Sequence, residues 1–460
     1  AAQRFEAAIA PRPLVTGSWE ILLHRRGAPR ESAVAALVGR ELAPALPLSG
    51  PPGHERLRLG MSIEGAAAVL RAEPELAQDE RGLHGQQRLR TRAYPAQRRE
   101  PLLDAVVYDC FGGRDPSDSP LAIHRELVRR GAPLEHLWVT RDGAGPVPDT
   151  GRRVIARSGE HYDAMARARY VVTNDHWPAW FERRDGQTAL QTWHGPPLKR
   201  LGLELADRHP AFVAHRRALA ERAVNWDVVL SPGEWATPIL RRAFPIGGRV
   251  LETGLPRTDL LLADDREERA AAVRRRLGVD GDRRLVLYAP TYRDSATRRG
   301  RYRLGPLLDV TAVRAALGAG DVLLFRRHRN VVGGLDAEAE QAVLDVTAYP
   351  DATELLLAAD VLVTDYGSAA FDFAITGRPL LFYVPDLEEY RDRIRGLSLD
   401  LEAEAPGPLL RSTEEVAEAL RDPEAAVAGH RDARAAFVER YCALADGRAA
   451  ERVVDRAFTW

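Results

Sequence analysis

Cysteine is nearly absent. Cys110 and Cys442 are the two thiols in 460 residues, and they stand alone, which excludes a disulfide framework and suits a reduced, cytoplasmic protein. No apolar run approaches the roughly 20 residues that span a bilayer, and no secretory leader is visible. The chain starts Ala1-Ala2 without Met, which leaves room for a longer protein. An excess of one charge is also missing: the formal net charge is −1, so no global field points to nucleic acid. Lysine is reduced to Lys199 beside 64 arginines, a skew that fits a GC-rich coding bias. No Cys/His/Asp/Glu set has metal-ligand spacing, and there is neither a Walker loop nor a G-x-S-x-G elbow, so no metal and no cofactor is expected.

What is present is a soluble globular composition, 45% hydrophobic and 28% charged, with enough chain for two or three domains. Residues 1–95 carry short apolar or alternating runs, Ser18–His24 and Glu55–Leu59, between Pro- and Gly-rich connections. They read as a small β-rich accessory module with one helix near Gly65–Arg71, suited to a spacer or carbohydrate-binding role. From Asp104 onward strands and helices alternate. Expected strands are Ala105–Tyr108, His136–Thr140, Arg153–Ala156, Tyr170–Thr173, Ala189–Thr192 and Asp227–Leu230, then Leu285–Tyr288, Val322–Phe325, Val361–Thr364 and Leu380–Val384. Expected helices include Ser119–Arg130, capped by Ser119, and Ser368–Ile375. Two doubly wound α/β halves, residues 96–257 and 258–460, imply a cleft between them.

The stretch Asp360–Val384 shows this grammar best. Asp360-Val361-Leu362-Val363-Thr364 is a buried-strand run, Asp365-Tyr366-Gly367-Ser368 a polar turn with a capping hydroxyl, Ala369–Ile375 a helix ended by Gly377, and Leu380–Val384 a second strand. The turn lies at a strand's carboxyl end, where open parallel sheets bind ligands, and a helix N-terminus suits an anion. The same stretch also reads as an ordinary βαβ turn. His194, in Gln191-Thr192-Trp193-His194-Gly195-Pro196-Pro197-Leu198-Lys199, likewise follows a strand, and imidazole titrates near neutral pH. Arg326-Arg327-His328-Arg329 closes another strand, either as a solvated charge cluster or as an anion site.

Taken in order, Thr364–Ala374 with Gly377–Asp392, Trp193–Lys199, Tyr288–Asp294, Glu252–Asp259, Arg327-His328 and Phe111–Pro120 resemble the CDP-glycerol glycerophosphotransferase family, the teichoic-acid primases and polymerases. The resemblance covers Asp104–Asp400. It implies a GT-B-like α/β fold: two Rossmann-type halves, an acceptor-side half and a nucleotide-donor half, plus the small β-rich N-terminal module. It implies a transferase that moves glycerol phosphate from CDP-glycerol to a hydroxyl of a glycerol-phosphate or glycan acceptor, releasing CMP, in teichoic-acid-like or capsular polymer synthesis. In the reading it gives, His194 is the general base and His328 a second catalytic group. Arg327, Ser368, Thr291, Arg293 and Gly367 meet the donor phosphates. Ser117, Asp118 and Lys199 lie on the acceptor side, and Arg257 and Asp259 form a hinge contact. The acceptor is expected to be lipid-linked, and the basic segment Gly202–Asn225 to touch anionic membrane at the inner face of the cell. Alternatives are a CDP-ribitol or nucleotide-sugar donor on the same fold, or a non-catalytic glycan-binding protein. The chain departs from the family at Gly367, where serine is usual, and at Ala370.

Overall fold

A computed structural model of the chain describes residues 76–141, 146–205, 221, 223–279, 281, 283–298, 301–304, 308–328, 331, 335 and 337–460, with six short strands between residues 17 and 72. Four of the six, Gly17–Glu20, Leu48–Ser49, Leu57–Met61 and Ala68–Ala72, form an antiparallel sheet in the order 17–20, 68–72, 57–61, 48–49. The described part of the helix expected near Gly65–Arg71, from Ala68 on, is therefore a strand. A short apolar run does not distinguish the two by its period, and here the paired strand Leu57–Met61 decides the outcome.

The chain divides into two compact units, Ala1–Asp115 with Glu135–Arg169, and Pro116–Leu134 with Tyr170–Trp460. In the first, the parallel strands Leu103–Asp109, Glu135–Thr140 and Arg152–Ile155 lie side by side. Their buried runs, Ala105–Tyr108 and Leu137–Val139, mark a sheet covered on both faces. Helical turns at Gly82–Arg88, Leu89–Ala93 and Tyr94–Gln97 pack beside the helix Gly159–Arg167. Glu80 Oε1 accepts the Gly159 N–H at 2.7 Å, and the Tyr94 and Tyr162 rings meet edge-on at 6.2 Å.

The second unit carries two parallel sets of strands. Ala168–Thr173, most of which lies in this unit, pairs with Thr188–Gln191, which pairs with Val228–Ser231, which pairs with Arg249–Glu252. The other set has six strands in the order Leu344–Asp345, Asp321–Phe325, Arg284–Ala289, Val361–Thr364, Leu380–Tyr383 and Leu409–Leu410, all parallel. Numbered along the chain this is 3-2-1-4-5-6, the doubly wound order, whose direction reverses between Arg284–Ala289 and Val361–Thr364. Alternation fills both faces. Leu285, Leu287, Leu362, Leu380 and Phe382 face the helices Ala352–Ala358 and Ala369–Ala374, while Val286, Tyr288, Val361, Val363 and Leu381 face the opposite layer with Val313, Val416 and Leu420. At about 1.5–3 kcal/mol per buried aliphatic side chain, this core fixes the strand ends firmly, and the loops that leave them inherit that precision.

Among the described residues no helix is long and apolar enough to cross a membrane. Most of Gly202–Asn225, the segment expected to meet the membrane, lies outside the described residues.

Candidate active site

His194 follows the strand Thr188–Gln191 on a backbone held in an unusual shape. Trp193, just before it, has φ +54°, a left-handed setting rare for a bulky side chain. Packing holds it there. The Trp193 ring is buried against Phe244 at 4.8 Å and Trp226 at 6.0 Å, and the Trp193 backbone N–H donates to Gln191 Oε1 at 2.8 Å. The indole stacks on the His194 ring at 4.3 Å. His194 Nδ1 lies 2.9 Å from the Asn174 carbonyl oxygen. A carbonyl accepts and cannot donate, so Nδ1 carries the proton and the neutral ring keeps its lone pair on Nε2. That is the tautomer of an oriented base.

Gly195 then lets this turn close on the loop after the strand Val361–Thr364. A Cβ at Gly195 would stand 2.3 Å from Ser368 Oγ and 2.9 Å from Ser368 Cβ. Only glycine permits so close an approach, and it brings His194 and Ser368 into one neighbourhood. Ser368 opens the helix Ala369–Ala374 but does not cap it; its backbone is already helical and its hydroxyl makes no capping bond. The hydroxyl faces the His194 turn instead.

Beneath the turn sits a buried charge cluster. Arg257 Nη2 meets Asp372 at 2.7 Å, and Nη1 meets Asp118 at 3.2 Å and donates to the His194 carbonyl oxygen at 2.7 Å. The Asp118 N–H points to Asp351 Oδ2 at 3.4 Å. Burial works against the Arg257 charge, but the Asp372 and Asp118 carboxylates outweigh it and raise its pKa. Asp372 is pushed up to about 6 by burial, opposed by Arg257 and reinforced by Asp118. Asp351 is also raised, by burial and then by Asp118. Asp118 itself has φ +59°. Its helix runs Asp118–Arg129, beginning before the expected Ser119, whose hydroxyl instead receives the Arg257 N–H at 3.4 Å. Ser117 is buried at the helix's start.

Arg257 and Asp259, expected to share a hinge role, are engaged in different places. Asp259 caps the helix Ala449–Ala457, accepting the N–H groups of Ala449 and Ala450 at 3.0 and 2.8 Å.

Thr291, Gly367 and Arg293, expected to meet the donor phosphates, gather at the point where the strand order reverses. The Thr291 N–H donates to both Asp365 oxygens, at 2.9 and 3.1 Å, tying the loop after Arg284–Ala289 to the loop after Val361–Thr364. Gly367 lies against both: a Cβ there would be 3.1 Å from Thr364 Oγ1 and 3.3 Å from Thr291 Cγ2. This tight fit accompanies glycine where the family usually has serine. Arg293 is buried, pairing with Asp386 through two bonds of 2.7 and 3.0 Å and with Asp365 at 2.8 Å, beside the stacked rings of Tyr366 and Tyr390. Its guanidinium is thus committed to protein carboxylates and clasps the Thr291 and Asp365 loops together. Arg327 and His328 follow the strand Asp321–Phe325 and are half-buried. The Arg327 N–H donates to Thr347 Oγ1 at 3.0 Å, and the His328 ring meets Tyr292 at 4.7 Å. Lys199, expected on the acceptor side, stands over the Tyr292 ring at 5.6 Å.

Sequence reasoning passed over Asn174, Gln191, Asp351, Asp372 and Tyr292. Asp372 had a visible signal: a carboxylate between Phe371 and Phe373 in a helix that packs into the core needs a buried cation. Asn174 acts through its backbone, which leaves no trace in residue type.

The family model described as CDP-Glycerol:Poly(glycerophosphate) glycerophosphotransferase matches residues 93–459. A teichoic acid poly(glycerol phosphate) polymerase of Bacillus subtilis is 37% identical over 360 residues, covering 77% of this chain and 48% of its own length. A teichoic acid glycerol-phosphate transferase of Staphylococcus aureus is 32% identical over 366 residues, covering 78% of this chain and 94% of its own. The chain therefore spans about half of the first relative and nearly all of the second. A solved structure of the wall teichoic acid polymerase TagF, 30% identical, superposes with a TM-score of 0.73 over 80% of this chain and 92% of that one. The α/β architecture of parallel sheets is GT-B-like, as the resemblance implied. By residues 93–459, the chain belongs to the CDP-glycerol:poly(glycerophosphate) glycerophosphotransferase family.

Proposed function

We propose that this protein transfers glycerol phosphate from CDP-glycerol to a hydroxyl of a glycerol-phosphate or glycan acceptor, releasing CMP, in the synthesis of a teichoic-acid-like or capsular polymer. The observation that carries the reading is the His194 ring: its Nδ1–H is held by Asn174, its basic nitrogen is Nε2, and Gly195 seats its turn against Ser368. In the proposed reaction His194 Nε2 takes the acceptor hydroxyl proton. The oxygen forms a bond to the β-phosphorus as the bond from that phosphorus to the bridging oxygen breaks, and the bridging oxygen leaves with CMP. Arg327 and His328 neutralise the charge growing on the leaving phosphate, and Ser368, Thr291 and the Gly367 backbone hold the diphosphate. Arg293 serves this site by positioning Thr291 and Asp365. Ser117 and Asp118 border the acceptor side, with Asp118 and Arg257 supporting the His194 turn. The acceptor is lipid-linked in this reading, and the enzyme works at the inner face of the membrane. In this reading the accessory module ends before Leu76, because Glu80 and Tyr94 pack on the helix Gly159–Arg167, and the acceptor-side and donor halves follow it in the chain.

The test is acceptor-dependent CMP release from CDP-glycerol and CDP-ribitol in parallel. Release from CDP-glycerol, with Arg327→Ala, His328→Ala and Ser368→Ala each weakening CDP binding by about 1.5–3 kcal/mol, is the expected result. Preference for CDP-ribitol, or no release from either donor, would overturn the assignment.

A further inference from the structure

The skewed composition explains why lysine is scarce, but not where the remaining one stands. Lys199 ends the turn that carries His194, and its backbone is fixed on both sides. The Ser398 N–H donates to the Leu198 carbonyl at 2.8 Å, the Arg200 N–H donates to the Gly396 carbonyl at 3.2 Å, and Lys199 itself bridges Leu397 in antiparallel register. Leu198 is buried in the core shared with the six-stranded sheet. The side chain therefore leaves a rigid support, and it reaches the Tyr292 ring at 5.6 Å, which in turn meets His328 at 4.7 Å. Tyr292 directly follows Thr291 at the switch point, so the three side chains form a row from the His194 turn to the end of the strand Asp321–Phe325.

The ring contact alone does not select lysine over arginine. Arginine sits on aromatic faces at least as well, and this chain uses arginine everywhere else. What lysine alone supplies is a compact ammonium on a flexible stem, able to turn three donors toward a single oxygen. A row that joins an ammonium to His328 beside the switch-point loop suits a diphosphate.

We propose that Lys199 binds the donor, its ammonium contacting an oxygen of the nucleotide diphosphate alongside His328, and not the acceptor. The inference rests on the donor-site reading above and adds to it a third cation delivered by the acceptor-side turn. No proton moves: the ammonium remains charged throughout.

Because Lys199 is the chain's sole lysine, an amine-directed reagent reports on one side chain, with the α-amino group as an internal control. Reductive methylation followed by peptide mass spectrometry would be run with no ligand, with CDP at a concentration that calorimetry shows to saturate, and with cytidine. CDP is expected to slow Lys199 methylation severalfold while the α-amino group reacts as before, and cytidine to give no protection. Lys199→Gln is expected to weaken CDP binding by about tenfold or more, and Lys199→Arg to fall short of wild type, which a purely ring-stacking role would not require. If CDP binds the wild-type protein yet leaves Lys199 methylation unchanged, and Lys199→Gln binds CDP normally, the assignment of Lys199 fails while the donor site stands. Absence of CDP binding by the wild type would remove both. Should Lys199→Gln not fold, protection of the wild-type protein still decides.

Discussion

Replacing Gly195 by alanine tests how the His194 turn is held. The new Cβ would lie 2.3 Å from Ser368 Oγ, 2.9 Å from Ser368 Cβ and 3.2 Å from Arg257 Nη2. Its φ of +151° is also a setting that side chains other than glycine rarely adopt. Restoring ordinary contact distances requires the turn and the Ser368 loop to separate by about 1 Å, a displacement that costs about 10²-fold when it moves a reacting group. Gly195→Ala is therefore expected to lower CMP release by about 10²-fold, with a much smaller effect on the unfolding temperature. The cause can be isolated by a double-mutant cycle. Ser368→Gly removes both the Oγ and the Cβ that the new methyl strikes, so adding Gly195→Ala to that variant should cost far less than adding it to wild type. Turnover of Gly195→Ala within about threefold of wild type, or an equal cost in both backgrounds, would refute the reasoning.

Three further outcomes are expected. Arg257→Met leaves Asp118 and Asp372 buried without their shared cation, and should destabilise the protein by about 3–5 kcal/mol, read as a lower urea midpoint, with Asp372→Asn in the same chain recovering part of the loss. His161 is buried with Nδ1 accepting the Arg157 N–H, and burial pulls its pKa down to about 4. The fold thus favours the neutral ring, so its contribution, about 3 kcal/mol, is present above the ordinary value near 6.5 and is lost as pH falls towards 4; urea midpoints measured across that window should show the decline, and His161→Gln should flatten it. A chain starting at Leu76 should keep CDP binding and soluble-acceptor turnover, whereas one starting near Glu100 loses the Tyr94 ring and the Glu80 carboxylate that pack on the helix Gly159–Arg167 and should unfold at a lower temperature.

The strand–turn–helix–strand of Asp360–Val384 was legible because apolar runs bounded by turn residues specify it locally. The doubly wound order of the second sheet follows from such units repeated. Elements lacking that contrast escaped. The strand Arg249–Glu252 is short and charged at both ends. The helix Arg431–Tyr441 buries only Phe437 and Tyr441 among arginines, and Ala449–Ala457 hides its buried stripe among small residues. At the site, the residue types announced His194 and Ser368 but not the long-range meeting of their two loops, which takes place at Gly195. Arg293 shows the opposite limit: a motif arginine that the sequence presents as a phosphate ligand is committed to Asp365 and Asp386 once the chain folds.

The central claim is that His194 acts as the base through Nε2, and its most direct test compares turnover with donor affinity in His194→Ala. The account predicts turnover lower by about 10²–10⁴-fold, the range for losing a positioned general base, while calorimetry finds CDP bound as tightly as by wild type. Near-normal turnover in that variant would contradict it.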